Sequence, residues 1–90
     1  MQEAPVQVPA ATYEQQYQRA RVLLAAGQPD LAIAAFSALL AQSPANADVL
    51  LGRGIAYTRN KQYGEAERDL RAAAAAAPDY PDVWQALASV

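Results

Sequence analysis

The stretch LRAAAAAAPDYPDVW, residues Leu70 to Trp84, places six consecutive alanines before a proline and a second proline three residues later. Read alone, such a run is compatible with low-complexity filler, with a linker, or with a helix whose small side chains allow close packing. Comparison with the stretch 34 residues earlier decides between these readings, because the chain repeats itself at that interval.

Composition limits the class of protein. The chain has 90 residues, enough for one small domain, and 53% of them are hydrophobic although only 8% are aromatic. Alanine supplies much of the apolar content, which favours closely packed helices over a β-sandwich. The net charge of −2 argues against nucleic acid or an anionic membrane as partner. We also expect no membrane insertion, because no uninterrupted apolar run reaches about 18 residues.

Two residue types that carry much of protein chemistry are missing. The sequence contains no cysteine and no histidine. It therefore has no disulfide framework, no thiol nucleophile, and neither the commonest general base nor the commonest metal ligand. We expect a protein without catalytic activity, cofactor or metal.

The first eleven residues, MQEAPVQVPAA, differ from the rest. Two prolines and no apolar period predict an extended lead-in over residues 1–11. The segment lacks the basic start and apolar core of a signal peptide, but it is compatible with a mature N-terminus from which a signal was removed. The location stays open on this basis, with the periplasm slightly favoured over the cytoplasm.

From Thr12 onward the pattern is helical. Thr12 and Gln15 have the spacing of a capping box, and apolar residues then recur at helical intervals. Gly27 suits the left-handed position that ends a helix, and Pro29 suits the first turn of the next. A second helix is predicted over 31–42, with apolar positions at Leu31, Ala32, Ala35, Phe36, Leu39 and Leu40.

The same cycle follows once more. Asn46 is the expected cap of a third helix, with Asp48 in its first turn, and Asn60 is the expected left-handed break. A fourth helix is predicted over 63–77. Its apolar face comprises Tyr63, Ala66, Leu70, Ala73 and Ala77, and its solvated face comprises Glu65, Glu67, Arg68, Asp69 and Arg71.

The two cycles align as blocks of 34 residues, 13–46 and 47–80. A 34-residue helix–turn–helix period resembles the tetratricopeptide repeat, whose pattern is W-x2-L-G-x2-Y, then A-x3-F, then P. The second block supplies Leu50, Arg53, Gly54, Tyr57, Ala66, Leu70 and Pro78 at those spacings. The first supplies Gln16, Arg19, Ala20, Leu23, Ala32, Phe36 and Pro44, and it departs at the large first positions. PDVWQALA begins a third block with Trp84, Leu87 and Ala88.

The resemblance implies an all-α fold, a right-handed stack of antiparallel helix pairs with about five helices. We divide the chain into repeat 1 over 12–46, repeat 2 over 47–80, and the first helix of a truncated third repeat over 81–90. The alanine run is then a repeat's second helix packed between neighbours, with Ala73 and Ala77 expected at the contacts. The two prolines end that helix and begin the next.

In this family the first helices of the repeats line a concave groove. By resemblance, that groove includes Tyr17, Arg21, Leu24, Leu51, Ile55, Thr58, Arg59, Gln85 and Ser89. The resemblance implies a non-catalytic scaffold for protein–protein interaction that binds a peptide or helix there. The alternative is a periplasmic segment of a bacterial polysaccharide-export outer-membrane protein, for which a polysaccharide is the possible partner.

The end of the chain carries a separate expectation. The third repeat stops after its first helix, so the chain looks like a fragment of a longer array. Trp84, Leu87 and Val90 are then expected to have open apolar surface, which is typical of an association site. We expect copies of the chain to form a homo-oligomer through this helix.

Overall fold

The computed structural model describes residues 10–90, so most of the predicted lead-in lies outside the described residues. The described part consists of five helices and no strands: α1 (Tyr13–Ala25), α2 (Pro29–Gln42), α3 (Ala47–Arg59), α4 (Tyr63–Ala76) and α5 (Pro81–Ala88). The prediction of an all-α stack of about five helices is confirmed.

The turns inside the two helix pairs have the same backbone geometry. Gly27 has φ +77° and Lys61 has φ +62°, and these left-handed residues lie 34 positions apart. After α1, Gln28 donates to the Leu23 carbonyl at 3.0 Å, and after α3, Gln62 donates to the Tyr57 carbonyl at 2.8 Å. Both are Schellman endings, which satisfy carbonyls at a helix C-terminus. The expectation that Asn60 takes the left-handed conformation is wrong, because Asn60 is the C-cap and its neighbour makes the turn.

The turns between the pairs also match each other. Ser43 (φ −139°, ψ 81°) and Ala77 (φ −142°, ψ 75°) are extended residues that end α2 and α4. Each precedes a proline, which disfavours helical geometry in the preceding residue. The last alanine of the run, Ala77, is therefore outside the helix, and α4 ends at Ala76 rather than at the predicted Ala77.

The helix starts follow the sequence signals. Thr12 and Gln15 form the predicted capping box, in which the threonine hydroxyl accepts from the Gln15 amide at 3.1 Å. The Asn46 side chain accepts from the amides of Asp48 and Val49 and so caps α3. Pro29 and Pro81 each stand in the first turn of their helix.

The core runs through all five helices. Its largest fully buried side chains are those of Phe36, Leu39, Val49, Leu70 and Val83. Each helix packs on the next along the chain, and α3 also contacts α1 and α5. Because α3 contacts all four of the remaining helices, the two helix pairs and α5 share a single apolar interior.

Two glycines of α3 allow this close packing. A Cβ atom added at Gly52 would lie 2.5 Å from the Phe36 ring, and one added at Gly54 would lie 2.7 Å from Leu70. Gly52 therefore admits a ring from the preceding pair, whereas Gly54 admits a side chain from its own partner helix. The GRG sequence is a packing feature of α3.

Several positions predicted to be buried are not. Leu31 and Tyr63 are about half exposed, and each lies in the first turn of its helix. In the alanine run, Ala73 is buried, whereas Ala77 is only half-buried. The second buried alanine is instead Ala74, about one turn before Ala77.

The predicted solvated face of α4 contains one buried carboxylate. Asp69 is 5% exposed and accepts two hydrogen bonds from Arg53, at 2.6 Å from Nε and 2.8 Å from Nη2. The same guanidinium donates to Ser37 at 3.1 Å and lies 5.5 Å from the centre of the Tyr57 ring. Arg53 therefore joins α2, α3 and α4. The prediction for Asp69 is wrong, whereas Glu67 and Arg71 form the exposed i,i+4 pair that their spacing indicates.

Candidate functional site

The first helix of each pair and α5 lie side by side around one groove. α3 is the middle of these three helices, because it contacts both α1 and α5. The groove has a volume of about 740 Å³. All nine residues that the resemblance assigned to a binding surface line it: Tyr17, Arg21, Leu24, Leu51, Ile55, Thr58, Arg59, Gln85 and Ser89. The structure thus brings the nine together, and their role in binding stays a prediction.

The floor of the groove is apolar. Leu51 is buried, Leu24 and Ile55 are half-buried, and the Phe36 ring reaches the groove from α2. Tyr17 meets that ring edge-on, with 6.2 Å between the centroids. An apolar floor with polar groups at its margin is typical of sites that bind a side chain and orient it.

Two arginines lie at the end of the groove where α1 and α3 terminate. Arg59 donates to the Leu24 carbonyl at 3.2 Å, and the Arg21 guanidinium carbon lies 5.8 Å from the centre of the Tyr17 ring. Within residues 10–90, neither arginine forms an ion pair. We call this part of the groove, Arg21 and Arg59, the basic end.

The opposite end is acidic, and sequence reasoning missed it. Asp48 and Asp82 stand in the first turns of α3 and α5 and line the groove together with Tyr80. We call these three residues the acidic end. A signal was available, since acidic residues stand 34 positions apart in the first turns of α1, α3 and α5: Glu14, Asp48 and Asp82.

The carboxylates of the acidic end change the titration of nearby phenols. Hydrogen bonding with the Asp48 carboxylate raises the pKa of Tyr80 to about 12, and burial and the charge of Asp82 act in the same direction. Burial, followed by the charge of Asp48, raises the pKa of Tyr17. Both phenols stay neutral at neutral pH, so the negative charge of this end resides on the aspartates.

The predicted association residues lie on the far side of α5. Trp84 is 52% exposed, Leu87 is half-buried and Val90 is exposed. They border a second, open cavity of about 710 Å³ together with Ala74, Glu67 and Arg71 of α4. The indole N–H of Trp84 donates to the Pro78 carbonyl at 2.8 Å. Val83, on the inner side of α5, is fully buried.

Two further features are absent from residues 10–90. Within residues 10–90, no group of three acidic side chains is placed to hold a metal ion. No helix in that same part of the chain is both long enough and apolar enough to cross a membrane.

These features define a class of protein, an all-α helical-repeat module with a concave groove built from the first helices of its pairs. A family model described as tetratricopeptide repeat matches residues 23–90, and the chain belongs to that family. Repeats of this family generally mediate protein–protein interaction and are typically non-catalytic. No curated protein and no solved structure gives a significant match.

Proposed function

We propose that the chain is a scaffold module that binds a protein segment in the groove formed by α1, α3 and α5. The observation that carries this proposal is the apolar floor of Leu24, Leu51 and Ile55, which lies open between two charged margins. Burial of apolar side chains of a partner on that floor supplies affinity, and the charged margins supply orientation. The division into repeats at 12–46, 47–80 and 81–90 is part of the same proposal.

Selection of a displayed random peptide library on the immobilised chain tests the groove. We expect the selected peptides to shift the amide NMR signals of groove residues such as Leu51 and Ile55, and to leave those of α2 and α4 outside the groove largely unchanged. Arg59→Ala should weaken these peptides without unfolding the domain, because the side chain is exposed. Arg68→Ala, an exposed arginine of α4 outside the groove, is the matched control.

Two results would contradict the groove proposal. One is a selection that yields no binder. The other is a set of binders whose signal shifts lie on α2 or α4 and whose affinity is the same for Arg59→Ala and Arg68→Ala. A melting temperature of Arg59→Ala as low as that of a core variant such as Leu70→Ala would show instead that the side chain is structural.

The polysaccharide-export alternative stays a prediction. The amide NMR signals used for the peptides can also test it. An anionic oligosaccharide series added to the labelled chain should produce no groove shifts if the partner is a protein segment. Shifts at Arg21 and Arg59 with the oligosaccharides, and none with the selected peptides, would favour the alternative.

We also propose that the outer face of α5 joins two copies of the chain. The face is apolar at Trp84, Leu87 and Val90, and its border carries both a negative and a positive group, Glu67 and Arg71. In a two-fold pair each acidic group can face the basic group of the other copy, so the surface is complementary to itself. Burial of Trp84 leaves no unpaired donor, because the indole N–H is already bonded within the chain.

A further inference from the structure

We infer that the groove selects and orients a bipolar segment, a peptide with a basic side chain at one end, an apolar centre, and an acidic side chain at the other. The basic end of the ligand lies at the helix starts, near Asp48 and Asp82, and the acidic end lies near Arg21 and Arg59. This inference rests on the proposed function, since it specifies the chemistry of the partner for the same groove.

The acidic end of the groove has the composition to hold a cation. Asp48 and Asp82 are exposed and belong to adjacent helices, α3 and α5. Within residues 10–90 neither carboxylate forms a salt bridge. Tyr80 stands beside them, and the Asp48 carboxylate favours its neutral form. Two carboxylates without a salt bridge and a phenol line the same groove, and such groups can hold a lysine or arginine head group.

The basic end has unused donors. Arg59 directs one terminal nitrogen to the Leu24 carbonyl, which leaves other N–H groups of the guanidinium for a ligand. Arg21 is exposed, and its guanidinium lies near the Tyr17 ring. A guanidinium pair at one end and a carboxylate pair at the other make the potential change sign along the groove. A ligand of one charge is attracted at one end and repelled at the other.

The distance between the two ends sets the length of the ligand. Asp48 and Arg59 stand at the two ends of α3, roughly 16 Å apart along the axis at 1.5 Å per residue. An extended peptide covers that distance in about five residues. Leu51 and Ile55 lie between Asp48 and Arg59 along α3 and line the same groove, so the apolar side chains of the ligand belong between its charges.

Four fluorescent peptides test the inference, each with blocked termini and the apolar centre of a library-selected binder. Lysine or glutamine stands at one end and aspartate or glutamine stands about five residues away at the other, in all four combinations. We expect the lysine–aspartate peptide to bind tightest by fluorescence anisotropy. Each exposed ion pair should increase the affinity of the peptide by at most about fivefold. This increase should largely disappear in 1 M salt.

Variants of the two ends assign each charge of the ligand to its site. The double change Asp48→Asn with Asp82→Asn should weaken only the peptides that contain lysine. The double change Arg21→Gln with Arg59→Gln should weaken only those that contain aspartate. Asp30→Asn, in the first turn of α2, and Arg19→Gln, on α1 outside the groove, are matched exposed controls and should change nothing.

The possible outcomes separate the inference from the proposed function. Equal affinity of all four peptides, with signal shifts in the groove, would overturn the inference and leave the proposed function standing. The inference would also be overturned if the Asp48→Asn, Asp82→Asn variant lost affinity for the glutamine–aspartate peptide. The carboxylates of the protein would then contribute to binding without a lysine in the ligand. Failure of every peptide to bind would overturn both.

Discussion

At the scale of single residues, Arg53 links three of the helices through its side chain. Its guanidinium bonds Asp69 of α4 at two points and Ser37 of α2 at a third. Hydrogen bonding to Asp69 raises the pKa of Arg53, so the guanidinium keeps its charge and its donors. No buried side-chain polar atom in the described residues lacks a partner, and Arg53 is part of the reason.

Loss of Arg53 should therefore destabilise the fold. Arg53→Met keeps much of the apolar stem but leaves the buried Asp69 carboxylate without its donors. We expect a loss of about 1.5–3 kcal/mol in the free energy of unfolding, measured by urea denaturation. Arg71→Met removes the exposed partner of Glu67 and should cost only about 0.2–0.5 kcal/mol. Equal losses for the two variants would show that the Arg53 network adds nothing beyond a surface pair.

Tyr80 should make the stability fall at alkaline pH. Its pKa in the folded chain is about 12, above the ordinary value of 10 for a phenol, so the folded state holds its proton more tightly than the unfolded state does. The contribution of the protonated Tyr80 to the free energy of unfolding is fully present below pH 10 and is lost as the pH rises from 10 to 12. Urea midpoints measured over that range should fall less steeply for Tyr80→Phe than for the unmodified chain.

The exposed Tyr63 provides the control for this titration. Tyr63→Phe should retain the full alkaline fall. If Tyr80→Phe and Tyr63→Phe both follow the unmodified chain, the Tyr80–Asp48 interaction does not contribute to stability.

At the scale of helices and turns, the two Schellman endings are a natural matched pair. One has glycine and the other lysine at the same left-handed position, φ +77° at Gly27 and φ +62° at Lys61. A side chain in this conformation costs about 1–2 kcal/mol, and the greater freedom of glycine when unfolded offsets part of that. Gly27→Ala should lower the thermal midpoint, whereas Lys61→Gly should raise it. Changes of the same sign in both variants would contradict the shared geometry.

The alanine run also belongs to this scale. Its six residues serve different purposes according to the face of α4 on which they lie. Ala73 and Ala74 are buried, Ala72, Ala75 and Ala76 are exposed, and Ala77 is half-buried outside the helix. The exposed alanines add helix propensity at little entropic cost, and the buried ones allow close approach of neighbouring helices.

At the scale of the whole molecule, α3 holds the assembly together, and α5 has packed only one of its faces. Val83 on the inner face is fully buried, whereas Trp84 on the outer face is 52% exposed. We expect sedimentation velocity to show dimers at high concentration, and Trp84→Glu with Leu87→Glu should restore the monomer. Tyr63→Glu, a similarly exposed aromatic position of α4 away from this cavity, is the control and should not affect association.

A monomer at every concentration would contradict the proposed dimer. So would dimers that persist unchanged in the Trp84→Glu, Leu87→Glu variant, because association would then use another surface. A decrease of Trp84 accessibility to a soluble quencher as concentration rises would provide an independent measure of the same interface.

The sequence by itself determined the number of helices, the N-caps of α1 and α3, and the family. These features depend on signals within a few residues, such as the Thr12–Gln15 capping box, Pro29 and Pro81, and on a 34-residue interval that repeats them. The side of each helix that faces the groove was implied by the resemblance to the family, and the nine residues it assigns to the groove are found together.

Only the tertiary structure decided which polar residues belong to the interior and that the two ends of the groove carry opposite charges. The burial of Asp69 depends on where Arg53 of another helix reaches, and the half-exposure of Tyr63 and Leu31 is likewise a matter of packing between helices. The acidic end combines groups of α3 and α5 with Tyr80 from a turn. Helical periodicity assigns a residue to a face of its own helix, but the distance between residues of different helices is set by packing.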